Sequence, residues 1–252
     1  MREKENGAIL EAIKAVRKEQ PKKEVYGAPR LAKELNEIGL MCGKNRVARI
    51  MRKNDIRAKT KKKFKRTTDS QHKNPVASNL LAGNPSVNRP DRVYVTDITY
   101  IWTAEGWLYL AVVLDLFSRM VVGWAMSVRI TRELIIEALN RAILSRRPGT
   151  GLIVHSDRGS QYASYDYRVL LARCGFRQSM SGKGNCYDNA VMESFFHTMK
   201  TEWVFFEKYL TRAQAKTSIF DYIETFYNRE RRHSKLEYMS PCNYEREFSM
   251  AA

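Results

Sequence analysis

The chain has 252 residues, 44% of them hydrophobic, which is enough for one large domain or two smaller ones with a real core. Its 44 basic and 27 acidic residues give a net charge of +17, which favours a polyanionic partner such as nucleic acid. No apolar run is long enough for a transmembrane helix, and the N-terminus lacks the apolar block of a signal peptide. The four cysteines are scattered without a CxxC pair, so we expect reduced thiols in a cytoplasmic protein that does not enter a membrane.

The positive charge is concentrated at the front of the chain. Residues 1–70 carry 21 basic and 9 acidic side chains, and so +12 of the net +17. The segment 57–66, RAKTKKKFKR, alone holds seven cations. The following residues, 67–90, are rich in Asn, Ser and Pro without a clear period, which is typical of a connector.

Ahead of this connector the hydrophobic spacing is helical. It predicts helices over 6–19, from Pro29 to about 38, and over about 44–54. Gly39 separates the last two, and the final helix is basic, with Lys44, Arg46 and Arg49 facing outward. Two short helices around a Gly-containing turn resemble a helix-turn-helix DNA reader. The alternative is a helical bundle whose basic face is only solvated.

After the connector the period changes to that of strands. Three β-rich runs follow one another at hairpin spacing, and later apolar strands alternate with helices. The predicted order is β-β-β-α-β-α-β-α, which indicates a mixed sheet with helices on its faces. The predicted strands are 93–102, 107–117, 120–128, 151–155 and 176–180, and the predicted helices are 132–145, 164–174 and the one that contains Glu193.

Three acidic residues lie where a solvated surface charge is not expected. Asp97 interrupts a strand, Asp157 follows the apolar strand LIVH at its carboxyl end, and Glu193 lies on a helix. Converging carboxylates repel one another unless a cation lies between them, and oxygen ligands of this kind suit Mg²⁺ or Mn²⁺. Singly, each acid has an ordinary structural interpretation. Together they predict a metal site for phosphoryl transfer, with two ions as the expected number.

The helix that carries Glu193 has two distinct faces. Glu193, His197 and Lys200 share one face at helical spacing, and an apolar stripe of Met192, Phe195, Met199 and Trp203 forms another. Lys200 is a candidate for contact with a DNA phosphate. His197 has two open interpretations, a substrate contact or an ordinary helix-face histidine.

Further candidates lie around these acids. His155 points to the same side of its strand as Asp157 and is either near the metals or a core histidine. Asp115 resembles a turn-stabilising acid, and Asp188-Asn189 suits a helix cap. Lys183, in a Gly-containing loop, and Arg231, in a basic C-terminal segment, are candidates for DNA contact, the latter with a solvated helix as its alternative.

Three blocks of sequence carry a family resemblance. VTDITYI (95–101), HSDRGSQY (155–162) and GNCYDNAVMESFFHTMK (184–200) resemble the signatures of DDE transposases and retroviral integrases, most narrowly transposases of the insertion sequence 3 family. Thirty-five residues separate Asp157 from Glu193, and a lysine follows the glutamate by seven positions, as in that family. YGAPRLAKELNEIGL resembles its N-terminal helix-turn-helix, and residues 226–245 resemble its C-terminal block.

The resemblance implies an RNase H-like α/β catalytic core with Asp97, Asp157 and Glu193 as metal ligands and catalytic residues. It implies Mg²⁺-dependent cleavage and strand transfer at the ends of an insertion sequence, without a covalent protein–DNA intermediate. The expected partners are the terminal inverted repeats and target DNA, further copies of the chain, and a first-frame protein or fusion, all at the bacterial nucleoid. The predicted domains are 1–60 (helix-turn-helix), 61–90 (linker), 91–205 (catalytic core) and 206–252 (C-terminal helical segment).

Two other functions remain open from the residues. One is a Mg²⁺-dependent nuclease that cuts without joining. The other is a DNA-binding regulator with an inert core, which the presence of all three acids disfavours.

Overall fold

The computed structural model describes residues 2–60, 75–83, 86–182 and 189–251. Its N-terminal part contains α1 (Arg2–Glu19), a 3₁₀ turn at Pro21–Val25, α2 (Ala28–Glu37) and α3 (Lys44–Lys53). These are the three predicted helices, with α1 beginning four residues earlier than its apolar spacing indicates. Most of the basic run 57–66, and residues 67–74 and 84–85 of the predicted connector, lie outside the described residues.

The central part contains a five-stranded sheet in the order β3-β2-β1-β4-β5. The strands are β1 (Val93–Thr103), β2 (Gly106–Asp115), β3 (Val121–Ser127), β4 (Ile153–Ser156) and β5 (Arg177–Met180). β1, β2 and β3 pair antiparallel, whereas β4 pairs parallel to both β1 and β5. The predicted mixed sheet, and the predicted order of strands and helices along the chain, are confirmed.

Helices cover both faces of the sheet. α4 (Arg132–Arg146) and α5 (Tyr165–Arg173) pack on one face. The other face packs against α6 (Ala190–Glu202), α7 (Arg212–Phe220) and a π-helical segment at Asp221–Tyr227. The last helix, α8 (Pro241–Ala251), contacts the Phe117 ring and forms an ion pair with Arg146 of α4. No helix in the described ranges is long and apolar enough to cross a bilayer.

One glycine sets how closely α4 approaches the sheet. A Cβ atom on Gly123 in β3 would lie 2.3 Å from the Ala138 carbonyl oxygen and 2.6 Å from the Ala142 nitrogen. Only a residue without a side chain permits this contact between strand and helix backbone. The α4 layer is thereby held directly against β3.

The N-terminal helices are packed against the C-terminal segment. Tyr26 is fully buried, and its hydroxyl donates to the Glu230 carbonyl and accepts from the Arg232 backbone N–H. Lys22 forms an ion pair with Asp221 at 2.7 Å. Apolar side chains of α1, α2 and α3 belong to the same continuous core as those under the sheet. The domain boundaries at 60, 90 and 205 stay a prediction.

Candidate functional site

Asp97 lies in β1 directly beyond its ladder with β4. That parallel ladder ends at Thr96↔Ser156, so Asp97 and Asp157 are the next residues of two neighbouring strands. The Asp97 carboxylate is partly buried, and its Oδ1 accepts the Ile98 backbone N–H at 2.7 Å. Adjacent parallel strands present equivalent residues side by side, which places these two acids together at the carboxyl end of β4.

Asp157 is held by the turn that follows β4. Its Oδ1 accepts the Gly159 backbone N–H at 2.9 Å, a local bond typical of aspartate in turns. A Cβ atom on Gly159 would come within 3.0 Å of that same oxygen, so glycine leaves room for the carboxylate. Arg158 donates from Nε to the Ser181 carbonyl at 2.7 Å and fastens the turn to the segment after β5.

The acids affect one another electrostatically. Burial, then the Asp157 carboxylate and, more weakly, Glu193 raise the pKa of Asp97 to about 8, while the Ile98 N–H and Lys200 act against this rise. Burial, then Asp97 and Asp157 raise the pKa of Tyr162 well above its usual value. The structure therefore brings the two aspartates together and places Glu193 and Lys200 close enough to act on them.

The described ranges nevertheless contain no group of three His, Cys, Asp or Glu side chains arranged as a ready metal site. Glu193 is exposed in the first turn of α6, which starts at Ala190. The donor set still fits a divalent cation, because carboxylate oxygens are its preferred ligands and a cation would relieve their mutual repulsion. The fit rests on the paired aspartates, with Glu193 as the further carboxylate within electrostatic reach.

α6 has the two faces predicted for it. Met192, Phe195 and Met199 are buried, whereas Glu193 and His197 are exposed. Phe196 is also buried, which its spacing did not predict. Lys200 is half-buried, with Nζ 4.5 Å from the centre of the Tyr100 ring. Burial lowers the pKa of Lys200, and the Asp97 carboxylate opposes this effect.

His155 is a fully buried histidine of the sheet. Its Nδ1 lies 2.8 Å from the Ser179 hydroxyl and its Nε2 lies 3.2 Å from the Ser181 hydroxyl. These contacts join β4 to β5 and to the residue after it. Of the two interpretations, the geometry favours the core histidine.

The structure agrees with the prediction for Asp115 but not with the one for Asn189. Asp115 is buried, and its carboxylate accepts backbone N–H groups from Asp91, Phe117 and Ser118, as predicted for a turn-stabilising acid. Asn189 stands at the N-cap of α6, but its side chain makes no capping bond, and its buried Oδ1 has no partner among the described residues. The predicted cap by Asn189 is therefore absent, and Asp188 lies outside the described residues.

The candidate DNA-binding cations fall into different environments. Lys44 and Arg49 are exposed on α3. Arg46 instead bonds to Glu5 and Asn6 of α1, at 2.8 and 2.9 Å. Lys183 lies outside the described residues.

The structure corrects the prediction that Arg231 contacts DNA. It is only 4% exposed, and its guanidinium makes two bonds to Glu202, at 2.7 and 2.8 Å. A buried, paired guanidinium has no surface on which to meet DNA. Its positive charge is paired with Glu202 inside the protein and does not contribute to a nucleic-acid surface.

Some residues of this site are not predicted by the sequence pattern. Tyr162, buried behind the aspartates with its hydroxyl 3.2 Å from Thr96 Oγ1, and Ser179 and Ser181, which hold His155, belong to this group. Tyr162 is the last residue of the HSDRGSQY block, and this position could have identified it as part of the site. The serines had none, since serine is common on surfaces.

Family models match most of the chain. An integrase core domain matches residues 87–186, a second integrase core domain model matches 193–248, and an HTH-like domain matches 4–64. The latter match agrees with the predicted N-terminal helix-turn-helix.

Curated relatives are similar over nearly the full length. The chain is 46% identical to the transposase InsF for insertion sequence IS3A of Escherichia coli (strain K12), over 88% of this chain and 77% of that protein. It is 47% identical to the uncharacterized 31 kDa protein of insertion element IS600 from Shigella sonnei, over 91% of this chain and 85% of that protein.

Solved structures match this chain at much lower sequence identity. A simian T-cell lymphotropic virus intasome in complex with PP2A regulatory subunit B56 gamma matches at 18% identity and a TM-score of 0.43, over 69% of this chain and 59% of that one. The trimeric HTLV-2 integrase catalytic core domain in complex with magnesium matches at 16% identity and a TM-score of 0.45, over 62% and 97%.

The sheet order agrees with the RNase H-like core predicted from the sequence blocks, and the integrase core models cover that same part of the chain. Sequence identity near one half over most of both chains establishes common descent. The chain belongs to the IS3 family of transposases, and is thus a DDE transposase, a polynucleotidyl transferase with an integrase-type catalytic core and an HTH-like domain.

Proposed function

We propose that this transposase cleaves DNA at the ends of its insertion sequence and joins the freed 3′-hydroxyl to target DNA, using Asp97, Asp157 and Glu193. The observation that carries the proposal is the register of β1 and β4, which makes Asp97 and Asp157 neighbours, with Glu193 near enough to help raise the pKa of Asp97. An acid buried beside other acids costs stability, and such cost is typical of a functional site. Integrase-type family models over the same residues support this interpretation.

Asp97 and Asp157, with Glu193, would hold Mg²⁺ or Mn²⁺, and we propose two ions. When bound, such ions act as Lewis acids that stabilise the attacking and leaving oxygens of phosphoryl transfer. The chain itself contributes the positions of these carboxylates. The Ile98 and Gly159 N–H groups orient one oxygen of each aspartate, and buried Tyr162 supports the strand ends from behind.

Lys200 is the proposed phosphate contact of the site. Its ammonium is half-buried over the Tyr100 ring and within electrostatic reach of Asp97. A cation at that point would attract the scissile phosphate toward the carboxylates. Lys183, outside the described residues, remains a further proposed contact.

The proposed partners follow from this reaction. Exposed Lys44 and Arg49 of α3 would meet the DNA backbone of the element ends, in the manner of a helix-turn-helix. Two ends must be joined to one target, so we propose that several copies of the chain assemble on DNA. We also propose that the product of the element's first reading frame acts with this chain, either as a separate partner or as a fusion.

The test uses the full chain, Mg²⁺ and duplexes that carry the sequences flanking the coding region. Wild-type protein should yield both cleaved and joined products, whereas Asp97→Asn should yield neither and retain DNA binding. Asp166→Asn, which removes an exposed carboxylate of α5, is the matched control and should be active. Cleaved but never joined products would favour a nuclease, and wild-type cleavage by Asp97→Asn would refute the assigned site.

A further inference from the structure

The hairpin of β1 and β2 presents aromatic rings to solvent. Trp102 is 59% exposed and Trp107 is 41% exposed, although both are large apolar side chains. They are directly opposite one another across the two strands, with ring centres 4.7 Å apart in an edge-to-face arrangement. Tyr100, two residues before Trp102, contacts Trp107 in the same manner at 5.0 Å. We call Tyr100, Trp102 and Trp107 the hairpin platform.

The hairpin platform and the candidate catalytic site lie on the same strand, β1. β1 continues past its last rung with β4 at Thr96 to Thr103, and Asp97 begins this extension. Trp102 is five residues further, about 17 Å along an extended strand. Alternation along β1 places Trp102 on the sheet face opposite to that of Asp97. Lys200 joins the two, because its Nζ lies over the Tyr100 ring and it acts electrostatically on Asp97.

The local charge suits an anionic occupant. Lys200 lies on one side of the platform, and Arg212 lies on the other, with its Nε donating to the Trp107 carbonyl at 3.1 Å. Glu105, in the hairpin turn, accepts the Arg212 backbone N–H. Cations next to exposed rings are the combination that proteins use to hold unpaired nucleotides, where the rings stack on bases and the cations meet phosphates.

The size of the platform favours bases over a protein surface. An aromatic side chain buries roughly 150–250 Å² when fully covered, and the exposed parts of Trp102 and Trp107 amount to about one such side chain. A stable protein interface needs about 800 Å² from each partner. One or two stacked bases, by contrast, need only one or two ring faces.

We propose that Trp102 and Trp107 form a stacking platform for unpaired DNA bases that lie next to the strand held at the carboxylates. This inference rests on the proposed function, because the platform would hold bases only where they are unpaired next to a phosphate bound at the carboxylates. The DNA strand would pass the edge of β1 at Lys200, with its phosphate on the carboxylate face and its displaced bases on the platform.

The experiment measures binding of the full chain to an oligothymidine and to a blunt duplex, without divalent ions. Trp102→Ala and Trp107→Ala should each weaken oligothymidine binding roughly five- to hundredfold, the range for loss of one stacked base, and leave duplex binding unchanged. Trp102→Phe should restore most of the affinity, because a phenyl ring still stacks. Oligothymidine should also quench tryptophan fluorescence less in Trp102→Ala than in the wild type.

The matched control is Phe220→Ala, an exposed ring of α7 that contacts Trp124 of the edge strand β3. It should bind oligothymidine as the wild type does. Unchanged binding by both tryptophan variants would overturn the platform, and a loss of self-association in sedimentation without a loss of oligothymidine binding would assign the surface to protein contact instead. Asp97→Asn tests the proposed function separately, since it should abolish cleavage and leave stacking intact.

Discussion

Arg231 and Glu202 form a doubly bonded ion pair in the protein interior, with nitrogen–oxygen distances of 2.7 and 2.8 Å. Arg30 of α2 adds a third bond to the same carboxylate at 3.2 Å. Three parts of the chain therefore meet at Glu202, namely α2, α6 and the segment before α8. The Arg30–Glu202 bond connects the HTH-like helices to α6 of the catalytic core.

Removing one member of this pair should destabilise the whole chain. Arg231→Met leaves the Glu202 charge buried and only partly compensated, which should lower the free energy of unfolding by about 3–5 kcal/mol in urea titrations. Arg231→Met combined with Glu202→Met removes both charges and should recover most of the loss. Arg229→Met, at an exposed neighbouring arginine, is the control and should be nearly neutral. If Arg231→Met were as stable as the wild type but bound DNA more weakly, Arg231 would be a DNA contact after all.

Asp97→Asn should stabilise the protein in EDTA, and the gain should depend on pH. Because the folded-state pKa of Asp97 is raised to about 8, the folded chain keeps a proton that the unfolded chain has released above pH 4. The stability linked to this proton is present below about pH 4 and is lost as the pH rises through about 8. The variant should thus exceed wild type by on the order of 3 kcal/mol at about pH 9, and by less at about pH 5.

Chemical denaturation in EDTA at both pH values measures this difference, with Asp166→Asn as the control. Added Mg²⁺ should then stabilise wild type and leave Asp97→Asn unaffected, because ligand binding to the folded state alone raises its stability. Equal pH dependence in the wild type and Asp97→Asn would contradict the electrostatic coupling of the aspartates.

The exposed cations of α3 should govern the salt dependence of duplex binding. Lys44→Ala and Arg49→Ala each remove one exposed cation that we propose faces a phosphate, so each should reduce the slope of log affinity against log salt by about 1. Arg46→Ala should change the slope less, since Arg46 is already bonded to Glu5 and Asn6. Lys14→Gln on α1 is the control. Anisotropy titrations at several salt concentrations provide the slopes, and equal slopes for all four variants and wild type would remove α3 from the DNA surface.

Gly123→Ala should damage the catalytic core without touching the carboxylates. Its Cβ atom would overlap the Ala138 carbonyl and the Ala142 nitrogen, and both belong to helix backbone that cannot turn aside. Overpacking of this kind costs about 1–3 kcal/mol or more, so we expect a lower melting temperature and poor yield. Gly149→Ala, where no atom lies near the added methyl, should melt like the wild type. A normal melting temperature for Gly123→Ala would mean that α4 can move away from β3.

The local features of this protein could be read from its sequence. Local periodicity predicted the two faces of α6, the helices of the HTH-like part and the succession of strands and helices along the chain. Periods of 3.6 and 2 residues are visible within short stretches of sequence. The sequence also singled out Asp97 and Asp157 as acids in or directly after apolar strands, but the β1–β4 register that makes these positions neighbours was given only by the structure.

The roles of individual charges and exposed rings were decided only by tertiary structure. Arg231 looks from its neighbours like a DNA contact, but its partner Glu202 lies 29 residues away on another helix, and a positive charge does not reveal whether its counterion is phosphate or an internal carboxylate. Alternation along β1 similarly assigns Trp102 to one face, while only the packing of α4 and α5 decides which part of that face stays open. Periodicity is a property of adjacent residues, whereas burial and pairing depend on which distant segments arrive at the same place.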